Sequence, residues 1–80
     1  MRVVKIVNMN TIKTLDRFPL CPRTLDLAKK LENNVLTIHD LPPIHTKFEN
    51  GSHTIMDGRH RYTAIRLAGI NQIKAKYGTK

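Results

Sequence analysis

The chain of 80 residues carries 14 lysine and arginine residues against 6 aspartate and glutamate residues, a formal net charge of +8 at pH 7. Its 40% hydrophobic and 25% charged residues are typical of a globular domain and exclude a disordered chain, and no apolar run approaches the roughly 20 residues of a membrane span. We therefore expect one small domain over residues 1–80, with an anionic partner such as a nucleotide or nucleic acid. A basic surface without a partner is the alternative.

Cys21 is the only cysteine in the sequence, so an internal disulfide is excluded and a reducing cytoplasm is the expected setting. The neighbouring sequence PLCP favours a packed thiol over a nucleophile. The first eight residues, MRVVKIVN, have neither the apolar core nor the cleavage site of a signal peptide.

The first half of the chain predicts one strand and one helix. Residues 2–8 alternate and are rich in β-branched side chains, as strands are. Residues 10–21 are mixed and predict a loop with at most one helical turn. A helix of about three turns begins at Pro22 and ends at Asn33 and Asn34.

A β-hairpin is predicted after LPPI, whose prolines keep the chain extended. Asn50 and Gly51 supply the positive φ angles of a type I′ turn. The expected pairs are Glu49 with Ser52, Phe48 with His53, Thr46 with Ile55, and His45 with Met56. The face expected to pack on the core carries Ile44, Thr46, Phe48, His53 and Ile55, and the opposite face carries His45, Lys47, Thr54 and Met56.

A second helix and a last strand complete the predicted fold. The helix follows Asp57 and Gly58 and ends at Gly69; its inner face carries Ala64, Ile65 and Ala68. The sequence INQIKAKY then predicts a strand with Ile73, Ala75 and Tyr77 on one side and Lys74 and Lys76 on the other. The order β, α, β-hairpin, α, β indicates an α+β fold with a small mixed sheet and two main helices.

Arg59, His60 and Arg61 crowd the predicted start of the second helix, where the free N–H groups and the helix dipole favour anions. Cations there indicate a ligand absent from the chain. If Asp57 caps the helix and Gly58 lets the backbone approach a ligand, the other N–H groups and the three side chains would surround a phosphate. An exposed basic first turn without a ligand is the alternative, and in either case we expect Arg61 to make few core contacts.

Residues 41–70, LPPIHTKFENGSHTIMDGRHRYTAIRLAGI, resemble the core of the ParB/sulfiredoxin-like superfamily, in which a PPI-type strand leads through a hairpin to DG-x-HR or G-x-RR at the head of a helix. RTLDLAKKLENN is similar to the preceding helix of that family. The family's Gly-x-His-Arg segment binds the phosphates of ATP, ADP or CTP. The resemblance therefore implies a nucleotide-binding domain in which Gly58, His60 and Arg61 contact phosphate, and Asp57 matches the aspartate of the serine kinase and ParB-like branches.

The sequence also departs from these relatives. Sulfiredoxins have their reactive cysteine where this chain has Arg59, so sulfinic acid reductase activity is not expected. Partition ParB proteins continue into a helix-turn-helix and a dimerisation domain that these 80 residues do not contain, so centromere binding of that kind is not expected. A serine kinase needs a catalytic glutamate, and residues 10–21 offer only Asp16.

The leading interpretation is a nucleotide-phosphate-binding module, with weak phosphohydrolase or kinase activity left open and no catalytic residue assigned. The alternative is a nucleic-acid-binding protein or nuclease, such as a small phage or plasmid regulator. The sequence does not indicate an oligomeric state.

Other candidate sites are weaker. The four histidines at 39, 45, 53 and 60 lack the short spacings of a zinc site, so no metal site is predicted from them. Asp57 with Asp40 or Glu49 would suit Mg²⁺ beside phosphates if these carboxylates converge.

Aromatic and basic side chains give two further expectations. Tyr62 is placed in the site, while Phe18, Phe48 and Tyr77 are assigned to the core. If the first and last strands pair, a basic stripe would contain Arg2, Lys5, Lys74, Lys76 and Lys80.

Overall fold

The computed structural model describes residues 2–13, 17 and 19–78. Its helices and strands are β1 (Arg2–Asn8), α1 (Pro22–Glu32), β2 (Ile44–Glu49), β3 (Ser52–Asp57), α2 (Arg59–Leu67) and β4 (Gln72–Gly78). Short 3-10 turns occupy Met9–Thr11 and Ile38–Asp40. The expected α+β class is confirmed, while the roles proposed for Asp16, Phe18 and Lys80 lie outside the described residues.

The sheet has four strands in the order β1-β4-β2-β3. β1 pairs with β4 and β2 with β3 in antiparallel fashion, whereas β2 and β4 are parallel through Ile44 with Ala75 and His45 with Lys76. The sheet is therefore mixed, as predicted.

One face of the sheet packs with both helices in a single apolar cluster. The buried members are Ala28 and Leu31 of α1, Tyr62, Ala64 and Ile65 of α2, Ile44, Ile55, Ile73 and Ala75 of the sheet, and Ile12 and Ile38 of the connections. Across the part of the chain described here, no helix is long and apolar enough to cross a membrane.

The hairpin turn has the predicted type, with φ of 51° at Asn50 and 79° at Gly51. The predicted pairs from Thr46 to Glu49 are confirmed, but His45 pairs with Asp57 instead of Met56. An irregularity between His45 and Thr46 leaves Met56 as an extra residue on β3. Such a bulge bends a strand, and here it lies where β3 runs into α2.

The assignment of Phe48 to the core is wrong, because 48% of the residue is exposed. The parallel pairing of β2 with β4 stops at His45, and Phe48 lies three residues further along the strand. Its ring stacks against His53 at 4.7 Å and Tyr77 at 5.7 Å between centroids, while His53 itself is buried.

The pairing of β1 with β4 divides the predicted basic stripe. Lys5 lies opposite Ala75, whereas Val4 and Ile6 lie opposite Lys76 and Lys74. Directly opposed residues share a face of the sheet, so Lys5 is on the other face from the two lysines of β4. Lys74 also donates a hydrogen bond to the His39 carbonyl at 3.0 Å.

Candidate functional site

The junction between β3 and α2 is built on Gly58, which has a φ of 105° and is the N-cap residue of α2. Its carbonyl accepts the first helical hydrogen bond, from the Tyr62 N–H at 2.9 Å. Asp57 does not occupy the capping position that the sequence suggested: it is the last residue of β3, and the N-cap residue, Gly58, makes no side-chain cap hydrogen bond. The first turn therefore keeps N–H donors for another acceptor.

Gly58 is also required by packing. A Cβ atom at this position would lie 2.6 Å from Ile44 Cγ2 and 2.9 Å from Ile44 Cβ. The positive φ is a second constraint, since non-glycine residues rarely adopt it. The glycine of the DGRHR segment thus has a structural cause that is independent of any ligand.

His60 joins the starts of the two helices. It is exposed, and its Nδ1 lies 2.8 Å from Oγ1 of the buried Thr24, in the first turn of α1. Cys21, the N-cap residue of α1, has its Sγ 3.5 Å from His60 Nδ1 and 3.4 Å from Thr24 Oγ1. The Thr24 hydrogen bond is the main cause that lowers the pKa of the Cys21 thiol.

Arg61 is half-buried, whereas the sequence suggested an exposed cation in the first turn of the helix. Its Nη2 donates to the Pro43 carbonyl at 3.3 Å, so the LPPI segment holds the guanidinium. Its Nε is buried, and no acceptor within the described ranges reaches it. Arg59 is exposed, and its carbonyl accepts from Thr63 Oγ1 at 2.7 Å.

A cleft of about 600 Å³ opens at this junction. Its lining contains all five predicted site residues together with four others: Pro19, Arg23, Leu27, Met56, Asp57, Gly58, Arg59, His60 and Arg61. The structure therefore brings the predicted residues together around one space.

Sequence reasoning missed Arg23, which is the second residue of α1 and lines the same cleft. The signal was present, because α1, like α2, has no acidic residue in its first turn. What the sequence did not show is that both helix starts face one space. Arg23, Arg59, His60 and Arg61 line the cleft together with Asp57, the one carboxylate in its described lining.

Asp40 and Glu49 do not join Asp57. The Asp40 carboxylate accepts from the Thr37 N–H at 2.8 Å, which lowers its pKa. Glu49 pairs with Lys47 at 2.7 Å, at the far end of the hairpin from Asp57. Among residues 2–13, 17 and 19–78, no group of three or more His, Cys, Asp or Glu side chains is placed to hold a metal ion.

The placement of Tyr62 in the site is also wrong. Tyr62 is 1% exposed, and its hydroxyl accepts from Arg66 Nη1 at 3.2 Å. Residues along a helix are rotated by about 100° from one to the next, so Tyr62 is directed into the core while its neighbours line the cleft. The apolar lining of the cleft comes instead from Pro19, Leu27 and Met56.

Three solved structures show the same fold. ParB from Caulobacter crescentus, a C-terminally truncated chromosome-partitioning protein complexed with CTP-gamma-S, has a TM-score of 0.70 at 15% identity over 98% of this chain. Sulfiredoxin from Arabidopsis thaliana has a TM-score of 0.69 at 22% identity over 98% of this chain and 86% of its own. C-terminally truncated SbnI from Staphylococcus aureus has a TM-score of 0.65 at 22% identity, covering 96% of this chain and 31% of SbnI.

The chain therefore has a ParB/sulfiredoxin-like fold, as its motif indicated. It spans 45% of the ParB chain. No protein-family model matches the sequence, and no curated protein matches it.

Proposed function

We propose that this chain binds the phosphate groups of a nucleoside di- or triphosphate of the ATP, ADP or CTP class in the cleft at the start of α2, as a single domain in a reducing cytoplasm. The observation that carries the proposal is the convergence of Arg23, Arg59, His60 and Arg61 on one cleft beside an uncapped helix start.

The donors of this cleft are of the kinds that bind phosphate. Free N–H groups at a helix start and guanidinium groups both donate to phosphate oxygens. Each hydrogen bond to a charged group contributes about 1.5 to 3 kcal/mol. A bound phosphate would also offset the repulsion among the three arginines and between these cations and the α2 dipole.

Arg61 is the strongest single candidate ligand. Its bond to Pro43 fixes the side chain before any ligand arrives, so less rotamer entropy is lost on binding. Its Nε is a buried donor without an acceptor in the described structure, and such groups cost about 1 to 3 kcal/mol. A guanidinium in this state is suited to an additional anionic acceptor.

The base and ribose would contact the apolar side of the cleft. That side is formed by the apolar side chains of Pro19, Leu27 and Met56, with no aromatic ring in the described lining. We therefore do not expect the base to stack on Tyr62. The ParB of the same fold was solved with CTP-gamma-S, which supports a nucleotide as the ligand class but leaves the base open for this chain.

The cleft is better suited to holding a nucleotide than to fast turnover. Arginine and histidine clamps bind ground state and transition state alike, and uniform binding does not speed the chemical step. Asp57 is the carboxylate available to a Mg²⁺ ion accompanying the phosphates, and Mg²⁺ sites of this kind need only one or two carboxylates. We therefore expect any phosphohydrolase or kinase activity to be slow and dependent on Mg²⁺.

Calorimetric titration with ATP, ADP and CTP tests the proposal. Arg59→Gln and Arg61→Gln should each weaken binding about 10- to 100-fold, because each removes charged hydrogen bonds to phosphate. Lys76→Gln is the matched control, since it removes one positive charge from β4 outside the cleft. Absence of nucleotide binding by the parent protein would refute the proposal, and so would an equal loss in Lys76→Gln.

Binding to the phosphate backbone of nucleic acid is the second candidate, favoured by the net charge of +8. In this case the affinity for duplex DNA should fall steeply with salt concentration. The logarithm of the association constant should fall against the logarithm of the salt concentration with a slope near −0.9 for each phosphate contacted. ADP distinguishes the two functions, because a nucleotide site binds it in the absence of DNA.

A further inference from the structure

Thr24 is a buried polar residue of α1, and its hydroxyl contacts a side chain of the candidate phosphate site. The residue is 0% exposed, and its Oγ1 lies 2.8 Å from His60 Nδ1. The two residues are 36 positions apart in sequence, so this contact exists only because α1 packs on α2. Buried hydroxyls are almost always hydrogen-bonded, and here the partner is a ring that lines the cleft.

A histidine ring has two distinct nitrogens, and the hydrogen bond made by one decides which nitrogen is offered to a ligand. In His60 the Thr24 hydroxyl occupies Nδ1. Nε2 is then the nitrogen available to a group in the cleft.

We infer that Thr24 is a positioning residue, which holds the His60 ring with Nδ1 toward α1 so that Nε2 donates to a phosphate in the cleft. This inference rests on the proposed function for its ligand, but the orientation of the ring is a property of the free protein as well.

Cys21 belongs to the same contact, because its Sγ lies 3.4 Å from Thr24 Oγ1 and 3.5 Å from His60 Nδ1. Both neighbours of Nδ1 therefore come from the start of α1. When the Thr24 hydroxyl donates to Nδ1, the ring hydrogen lies on Nε2, which is the donor that a phosphate oxygen needs.

Long-range ¹H–¹⁵N spectra of the histidine rings, recorded with and without ADP, test the inference on the unmodified protein. We expect His60 Nδ1 to keep one hydrogen-bonded state with and without ADP, and the large change on addition of ADP to fall on Nε2. A change confined to Nδ1, or a free protein whose His60 ring averages between the two tautomers, would overturn the inference.

Thr24→Val and Thr24→Ser provide the variant test. Valine keeps the shape of the threonine side chain and removes the hydroxyl, so ADP binding should weaken about 3- to 10-fold and the hydrogen-bonded signature of Nδ1 should be lost. Serine keeps the hydroxyl and should restore both within about 2-fold. Thr46→Val is the matched control, because Thr46 Oγ1 makes the same kind of bond, at 2.9 Å, to Nδ1 of the buried His53 outside the cleft.

The outcomes separate this inference from the proposed function. A parent protein that binds ADP and a folded Thr24→Val protein with the same affinity and the same ring spectrum would refute the role of Thr24 alone. A parent protein that does not bind ADP would refute the proposed function, while the ring spectra of the free protein still decide whether Thr24 fixes Nδ1. If Thr24→Val does not fold, the spectra of the unmodified protein and of Thr24→Ser decide.

Discussion

At the scale of single residues, Gly58 shows how a position in the candidate site can be required by the fold. The positive φ at this position, and the clash that a Cβ atom would make with Ile44, require glycine here even without a ligand. A test of ligand approach by enlarging this residue would therefore mainly measure stability.

Gly58→Ala should lower the free energy of unfolding by about 2 to 4 kcal/mol. About 1 to 2 kcal/mol comes from the left-handed backbone and the rest from the Cβ contact at 2.6 Å with Ile44 Cγ2. Gly69→Ala is the control, because Gly69 also has a positive φ but nothing lies within 4 Å of its Cβ position. Urea denaturation of both variants measures the difference, and equal losses would remove the packing explanation.

His53 gives the fold a pH-dependent component. It is 3% exposed, and burial lowers its pKa from the ordinary value. Above about pH 6.5 both folded and unfolded chains carry the neutral ring. Below that pH the unfolded chain takes up a proton that the folded chain resists, so this contribution to stability is lost as the pH falls toward the lower folded pKa.

Urea denaturation between pH 8 and pH 5 should show this loss, with a slope from this residue of at most about 1.4 kcal/mol per pH unit. His53→Gln removes the titrating group, so the variant should have a flatter profile than the parent. If the two profiles run parallel, His53 is not the cause.

At the scale of elements, the sequence predicted what local chemistry determines. The Asn50-Gly51 turn and the pairs next to it follow from φ preferences and the alternation of strand side chains. The bulge at Met56 was not predicted, because it depends on how β3 meets α2 and on the pairing of His45 with Asp57. Arg23 and Thr24 were missed because their approach to the DGRHR segment requires the packing of α1 on α2.

Asp57→Ala tests the corrected view of the β3–α2 junction. Since Asp57 is not the N-cap residue of α2, the free energy of unfolding of the variant should change by less than about 0.5 kcal/mol, whereas replacement of an N-cap aspartate by alanine costs about 1 kcal/mol. ADP binding should persist, and any Mg²⁺-dependent turnover should be lost. Urea denaturation and ADP titration with and without Mg²⁺ measure these effects, and a loss of 1 kcal/mol or more would reinstate the cap.

At the scale of the whole molecule, the fold explains why a chain of this size can form a cleft between two helix starts. The parallel pairing of β2 with β4 and the packing of α1 on α2 bring two helix starts to one place. The fold is shared with proteins that are 15 to 22% identical to this chain. Identities this low show the fold alone, so the proposed ligand depends on the cleft residues of this chain.

The positive charge of the molecule should affect the two candidate ligands differently. Raising the salt concentration from 50 to 200 mM should weaken the binding of duplex DNA about 10³-fold or more if the protein contacts six or more phosphates. ADP has fewer charges than duplex DNA, and its candidate ligand Arg61 is half-buried. Because partly buried charges are screened less by salt, the affinity for ADP should fall much less over that range. Parallel titrations measure both, and equal salt slopes would favour a nonspecific polyanion surface.

Amide chemical-shift mapping of the parent protein with ADP tests the nucleotide site most directly. The account predicts saturable shifts concentrated at Arg23 and at residues 57–61, which line the cleft, with little change at Lys74 and Lys76 on the other side of the sheet. Shifts centred on β4, or no shifts at millimolar ADP, would contradict it.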